Sequence, residues 1–253
     1  MEEGSNLNQV ARVAQLAARL MLANGGETYR AEETARHIGR AFGYETEAIA
    51  FPTGLMLSVG DERSRIARVD RLRVDFTKID RVNAISRELA AGSRTLADAE
   101  AALSALDASR AMGWFLQSLI AAGSSLMFAV MFSGTPYDMI SAGVCAFFSQ
   151  AVTGLIRDEA GLPLINLVGG FLAALTALIM SRVLFLGDVN LIIISAMMPL
   201  LPGLAFTNAI RDAMRGDLVS GMARAGEALI RAVVLAAGAG LAISAWMLIG
   251  GGA

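Results

Sequence analysis

The sequence contains very few of the residues on which metal sites, disulfides and most nucleophilic enzymes depend. It has a single histidine, His37, and a single cysteine, Cys145, among 253 residues. A zinc site of the usual His/Cys type is therefore not expected, and a disulfide within the chain is excluded. Neither a G-x-S-x-G nor a Walker sequence is present, so nothing indicates an ATP-driven pump, and an enzyme is disfavoured. We expect no metal and no cofactor.

Charge is scarce in the second part of the chain. Residues 1–110 hold 15 of the 21 basic residues and 16 of the 23 acidic ones. Five long uncharged windows follow, at 111–137, 139–156, 160–181, 189–210 and 232–253. A bilayer core about 30 Å thick takes about 20 residues of helix. The pattern therefore predicts a polytopic α-helical membrane protein, with five transmembrane helices in a domain over 109–253.

The charge-rich part predicts an N-terminal α+β domain over residues 1–108. Apolar periodicity and turn residues place its elements at 7–23 and 27–42 (helices), at 48–51, 55–59 and 64–69 (strands), and at 77–91 and 95–106 (helices). The order ααβββαα favours an antiparallel meander packed with helices. His37 lies in the second helix, where an exposed helix position is the simplest interpretation and a proton relay the alternative. Thr95 and Asp98 resemble a capping box.

The distribution of arginine predicts the orientation in a bacterial inner membrane. Basic residues favour the cytoplasmic side, so the N-terminal domain is expected there. The polar, acidic N-terminus gives no sign of a signal peptide. A predicted loop at roughly 205–231 contains four arginines and is also expected inside, which leaves the C-terminus outside after five spans. The net charge of −2 gives no reason to expect nucleic acid.

Several polar and small residues lie inside the predicted spans. Polar side chains are costly there, which makes Gln150 and Asn166 candidates for solute contact, with hydrogen bonding between helices as the alternative. Serine and threonine can bond to their own helix backbone. The glycines at 169–170, 238 and 240 indicate close helix packing.

Two prolines and a glycine interrupt the fourth window. Pro199, Pro202 and Gly203 break what would otherwise be one membrane helix. Many transporters build a solute site at such a break, because the freed backbone groups can bind the solute. We therefore expect these three residues, with Asn166, to form the deeper part of a substrate site.

The run behind the break concentrates polar side chains. In a helix, Asn208, Arg211, Asp212 and Arg215 lie on one face. A guanidinium suits a carboxylate and an aspartate suits an ammonium group, which are the two ends of an amino acid. The alternative is a solvated salt-bridge face of an interfacial helix. With Asp217, this run is expected to form an entry site or gate.

Three carboxylates are candidates for proton coupling. Asp212, Asp217 and Glu227 follow the break, and carboxylates near a bilayer can have raised pKa values.

Two groups of motifs resemble the threonine/serine exporter family. The C-terminal group consists of Pro199-Leu-Leu-Pro-Gly203, Asn208-Ala-Ile-Arg-Asp212, Gly216-Asp-Leu-Val-Ser-Gly221, Arg224 and Glu227-Ala228. The N-terminal group consists of Gly25-Gly-Glu-Thr-Tyr-Arg30, Glu33 and Phe51-Pro-Thr-Gly54. The resemblance extends over nearly the whole chain.

The resemblance implies a secondary exporter of small solutes. Members export threonine and serine, or in other cases a dicarboxylate such as succinate, and an arginine would serve either. With five spans the chain resembles the split form, in which a second small membrane subunit supplies the other half of a hetero-oligomer. A membrane-anchored sensor or scaffold remains the alternative from another class.

Overall fold

The computed structural model describes residues 2–61, 64–69, 73–110, 112–156, 161–184 and 187–250. The ends of three predicted windows, at 111, 160 and 251–253, lie outside these residues. The chain forms two compact units. One consists of Met1–Ala111 and Leu204–Ala225, and the other of Met112–Gly203 and Gly226–Ala253.

The first unit contains a small sheet among helices. Its elements up to residue 108 are α1 (Glu2–Ala23), α2 (Thr28–Ala41), β1 (Thr46–Phe51), β2 (Gly54–Val59), β3 (Arg65–Arg68), α3 (Phe76–Ala90) and α4 (Leu96–Ala108). The strands form an antiparallel meander in the order β1-β2-β3, as the sequence predicts. His37 is exposed on α2.

The core of this unit is built around α1. Val10, Val13, Leu20 and Met21 repeat at helical spacing and are fully buried. Burying one such side chain stabilises the fold by about 1.5–3 kcal/mol. On the sheet, buried residues alternate with exposed ones, as expected for a sheet with one face on the core.

Thr95 caps the start of helix α4, and Asp98 is its partner. Thr95 Oγ1 accepts a hydrogen bond from Asp98 N at 3.1 Å, and it donates one to Asp98 Oδ2 at 2.7 Å. This arrangement satisfies a backbone donor that the first helical turn leaves free.

A later segment of the chain completes the first unit. It consists of most of α9 (Gly203–Met214) and the first turns of α10 (Leu218–Leu248). The predicted loop at 205–231 is therefore wrong, because most of it is helical. Gly216 makes the turn between the helices with φ of 91°, a conformation that glycine adopts without strain. A Cβ on Gly221 would lie 2.9 Å from Ala209 O, so these helices pack closely.

The second unit consists of long apolar helices. They are α5 (Trp114–Met131), α6 (Pro136–Ile156), α7 (Leu162–Leu184), α8 (Val189–Met197) and the rest of α10. Among the described residues, four helices are long and apolar enough to span a membrane, and Val189–Leu200 with Gly203–Met214 makes a fifth span only as a bent pair. The protein is a polytopic helical membrane protein with four to five candidate spans.

Glycines bring α7 and α10 into backbone contact. A Cβ on Gly170 would lie 2.0 Å from Leu235 O, and a Cβ on Gly238 would lie 2.1 Å from Leu167 O. The expected packing role of these two glycines is confirmed. Gly240 differs, because a Cβ added there would have none of the described residues outside its own helix backbone within 4 Å.

Hydroxyl groups of the second unit bond largely to helix carbonyls. Thr153 and Thr176 donate to their own helices, as the sequence predicts, at 2.8 and 2.6 Å. Ser149 instead crosses from α6 to Gly169 O at 2.8 Å, and Ser125 crosses from α5 to Ser195 O at 2.7 Å. These crossing bonds tie neighbouring helices together.

Candidate functional site

The candidate site is built on the loop between α1 and α2. Asn24 Nδ2 donates to Leu20 O at 2.8 Å, and Gly26 N donates to Met21 O at 2.8 Å, so the loop closes the end of α1. Gly25 has φ of 89°, and a Cβ on Gly26 would lie 2.7 Å from Met21 O. Both positions therefore require glycine, and the loop turns its carbonyl groups outward.

One face of α9 lies along this loop and the start of α2. Asn208 Nδ2 donates to Gly25 O at 2.9 Å. One helical turn later, Arg211 Nη1 donates to Glu27 Oε1 at 2.7 Å. A turn further on, the guanidinium of Arg215 lies 4.1 Å from the ring centre of Tyr29. Asn208, Arg211 and Arg215 of the predicted face thus each contact a residue between 25 and 29.

The ion pair of Arg211 and Glu27 is half open to solvent. Arg211 Nη1 lies 2.7 Å from Glu27 Oε1, and the Arg211 side chain is 59% exposed whereas that of Glu27 is 7% exposed. Burial alone would raise the pKa of Glu27, but the hydrogen bond from Arg211 and the charges of Arg30 and Arg211 bring it below its ordinary value. More than half of the Arg211 side chain is thus exposed to solvent.

Asp212 and Thr28 lie at the centre, and both are fully buried. The Thr28 hydroxyl lies 3.0 Å from Asp212 Oδ1, and Thr28 N donates to the same oxygen at 3.4 Å. A solvated salt-bridge face, the alternative raised by the sequence, is therefore wrong for Asp212. The reason is that its carboxylate is fully buried against Thr28 and Arg224 and has no surface open to solvent.

Arg224, on the first turns of α10, supplies the compensating charge. Its Nη2 donates to Gly26 O at 2.9 Å, and its Nε lies 3.1 Å from Asp212 Oδ2. Among the described residues neither Nε nor Oδ2 has an aligned hydrogen-bond partner, so the attraction between the two is ionic and not directional. Arg224 is 5% exposed, which makes this a buried pair.

Asp217 closes the cluster at the start of α10. Its Oδ1 accepts from Ser220 N at 3.0 Å, as at a helix N-cap, and its Oδ2 lies 3.0 Å from the Thr28 hydroxyl. Burial alone would raise the pKa of Asp217, but hydrogen bonds from Ser220 and Thr28 and the charge of Arg224 bring it below its ordinary value. Asp217 is half-buried, unlike Asp212.

The remaining predicted site residues belong to the second unit. Asn166 is buried in α7, and Pro199 lies in a 3-10 turn over Met198–Leu200 that ends α8. Pro202 then separates this turn from Gly203, the first residue of α9, so the predicted break is present. Glu227 forms an ion pair with Arg231 one turn later in α10.

Three members of the cluster are not predicted as site residues from the sequence. Glu27 has a sufficient local explanation at the start of α2, and Thr28 and Arg224 stand out only as parts of the motifs. The glycine pair before Glu27 was the available signal, since it indicates a tight backbone approach. Local patterns do not show which charged group approaches this glycine pair, because that group lies about 185 residues away in sequence.

Comparison with known proteins identifies the family. The family model described as threonine/serine exporter matches residues 12–246. The chain belongs to the threonine/serine exporter family. A threonine/serine exporter of Corynebacterium glutamicum is 30% identical over 255 residues, which cover 93% of this chain and 52% of that protein. The chain thus spans about half the length of this relative. No solved structure matches the chain.

Every residue of the cluster lies within the region that matches the threonine/serine exporter family. The cluster joins the two groups of motifs on which the resemblance rests, one at Gly25–Tyr29 and the other at 208–224. Among the described residues, no group of three or more His, Cys, Asp or Glu side chains could hold a metal ion.

Proposed function

We propose that this chain is a subunit of a secondary exporter that carries small solutes, such as threonine and serine, across the bacterial inner membrane. Family membership and the candidate spans support this proposal. The observation that carries it is the buried ionic cluster, in which Asp212, Arg224 and Thr28 hold the α9–α10 turn on the α1–α2 loop. Buried charges are expensive, and in membrane proteins they mark solute and ion pathways.

We propose a role for each side chain from its exposure. Arg211 has one contact to Glu27 and a largely exposed guanidinium, so it is our candidate for binding the solute carboxylate. Asn208, Asp212 and Asp217 are already bound to residues 25–28, and we assign them to a gate that must loosen during transport. Glu227 remains a third candidate for proton coupling.

The broken helix is assigned to the deeper part of the site. Pro199, Pro202 and Gly203 interrupt the hydrogen-bonding of the span, and Asn166 is a buried carboxamide in α7. Freed backbone groups of this kind bind solutes in many transporters. The substrate is a small amino acid in this proposal, and a dicarboxylate such as succinate is the alternative.

Uptake into inverted membrane vesicles tests the solute site. With an imposed proton gradient, radiolabelled threonine should accumulate, and excess serine should compete more strongly than succinate. Arg211→Ala should reduce uptake at least tenfold, whereas Arg40→Ala, which removes an exposed arginine at the end of α2, should not. Undiminished uptake by Arg211→Ala would remove this residue from the site, and stronger competition by succinate would favour the dicarboxylate alternative.

We further propose that a second small membrane subunit completes the transporter. The support is that the chain spans about half of the Corynebacterium glutamicum exporter, and that five spans with a related, inverted partner make a pseudo-symmetric pair. Co-expression with such a partner should then be needed for export. Full export by this chain alone would contradict the proposal.

In this topology the N-terminus is cytoplasmic and the C-terminus is outside. The support is the arginine content of residues 205–231 and of the N-terminal part. Cys145 is fully buried and should not react with thiol reagents. Labelling of a cysteine introduced at the exposed Ser93 would therefore come from that position alone. An impermeant maleimide should label Ser93→Cys in inverted vesicles and not in intact cells; the opposite pattern would reverse the orientation.

A further inference from the structure

The hydroxyl of Thr28 lies between two carboxyl groups. Its Oγ1 is 3.0 Å from Asp212 Oδ1 and 3.0 Å from Asp217 Oδ2, and both distances are hydrogen-bond lengths. A hydroxyl group has one hydrogen, so it can donate to only one carboxylate at a time. If both aspartates were ionised, the other carboxylate would face a lone pair of Oγ1 at 3.0 Å.

One added proton satisfies all three groups. A protonated carboxyl donates to Oγ1, and the Thr28 hydroxyl then donates to the second carboxylate. We infer that Asp212 and Asp217 share a single proton through Thr28, and that Thr28 is the positioning residue that lets this proton pass between the buried aspartate and the half-buried one.

The charges around the cluster fit this inference. Arg224 on α10 is the cation beside Asp212, and one shared proton leaves one negative charge for it to balance. At the start of α2, Glu27 is paired with Arg211 and Arg30. Without the proton, two negative charges would face one buried cation, which a water-poor site disfavours.

The transfer needs no movement of heavy atoms. The carboxyl O–H bond of Asp212 breaks as its proton passes to Thr28 Oγ1, while the Thr28 O–H bond breaks as its proton passes to Asp217 Oδ2. Thr28 ends as a hydroxyl, Asp212 as a carboxylate and Asp217 as a carboxylic acid, from which the proton leaves readily because the pKa of Asp217 is below its ordinary value. One proton has moved from a fully buried group to one with access to solvent.

A role of the shared proton in driving transport rests on the proposed export function, but the existence of the shared proton does not. The test is therefore infrared difference spectroscopy of the purified full-length chain in lipid, which detects protonated carboxyl groups without any transport. At neutral pH the wild type should show a protonated carboxyl band. The band should be lost in Asp212→Asn and equally in Asp217→Asn, since two carboxyls are needed to hold one shared proton.

Substitutions of Thr28 test the relay. Thr28→Val should shift the midpoint of the carboxyl band to lower pH by about one unit, a tenfold loss of proton affinity, because two hydrogen bonds of the protonated state disappear. Thr28→Ser keeps the hydroxyl and should titrate as the wild type, which also covers the case that the valine variant fails to fold. Glu27→Gln is the matched control and should leave the band intact.

Three results would overturn the inference. One is a wild-type spectrum at neutral pH that equals that of Asp212→Asn, because both carboxyls would then be ionised. Another is a band that survives in Asp217→Asn, because the proton would then belong to Asp212 alone. The third is an unchanged midpoint in a folded Thr28→Val variant. Any of them could occur in a chain that still exports threonine, so the proposed function is tested separately.

Discussion

Replacing Arg224 by methionine should destabilise the first unit more than any other single loss of charge in the cluster. Arg224 is 5% exposed and Asp212 is fully buried, and their ionic contact is 3.1 Å long. Removing one partner of a buried pair costs about 3–5 kcal/mol, because the remaining charge stays without compensation. Gly26 O also loses its donor, which costs about 1 kcal/mol.

The matched control is Arg215→Met, at the residue that follows α9. Arg215 is exposed, and its cation–π contact with Tyr29 contributes about 0.5–1 kcal/mol. The free energy of unfolding of a protein is about 5–15 kcal/mol, so the loss of this contact is a small part of it. The loss expected for Arg224→Met is a large part of it. The two variants remove the same charge from neighbouring positions, so net charge does not explain a difference between them.

Hydrogen exchange is the suitable measurement, because it reports local opening. In Arg224→Met the backbone amides of residues 25–31 and of α9 should exchange at least a hundredfold faster than in Arg215→Met. The double variant Asp212→Asn with Arg224→Met has no buried charge at this position and should recover most of the protection. Equal exchange in the two single variants, or no recovery in the double variant, would refute the reasoning.

Two further predictions concern packing and pH. Gly238→Ala should lower the thermal stability of the detergent-solubilised protein, because its Cβ would lie 2.1 Å from Leu167 O, whereas Gly240→Ala should preserve or raise it; equal melting temperatures would contradict the packing argument. The pKa of Glu27 is lower in the folded protein, so its contribution to stability is complete above its unfolded pKa of about 4.3 and disappears as the pH falls through the folded value. Glu27→Gln should therefore destabilise the protein at pH 7 but not at a pH low enough to protonate Glu27 in the folded protein, and a difference that stays constant with pH would exclude this linkage.

The periodic elements of the N-terminal part could be predicted because their information is local. The helix cap at Thr95, the meander of three strands and the exposed position of His37 all follow from residues that are neighbours in sequence. The predicted loop at 205–231 failed for a related reason. Its arginines are frequent enough to suggest a solvated segment, but Arg211 pairs with Glu27 of the N-terminal part and Arg224 pairs with the buried Asp212, and no local pattern indicates either pair.

By itself the sequence determined that this is a membrane protein of the threonine/serine exporter type, because uncharged windows, a proline break and long motifs need no tertiary context. Only the tertiary structure decided which partners the charges take. Asp212 pairs with Arg224 and shares Thr28 with Asp217, since a buried charge must be satisfied by whatever group the fold brings near it. Distance along the chain carries no information about that encounter.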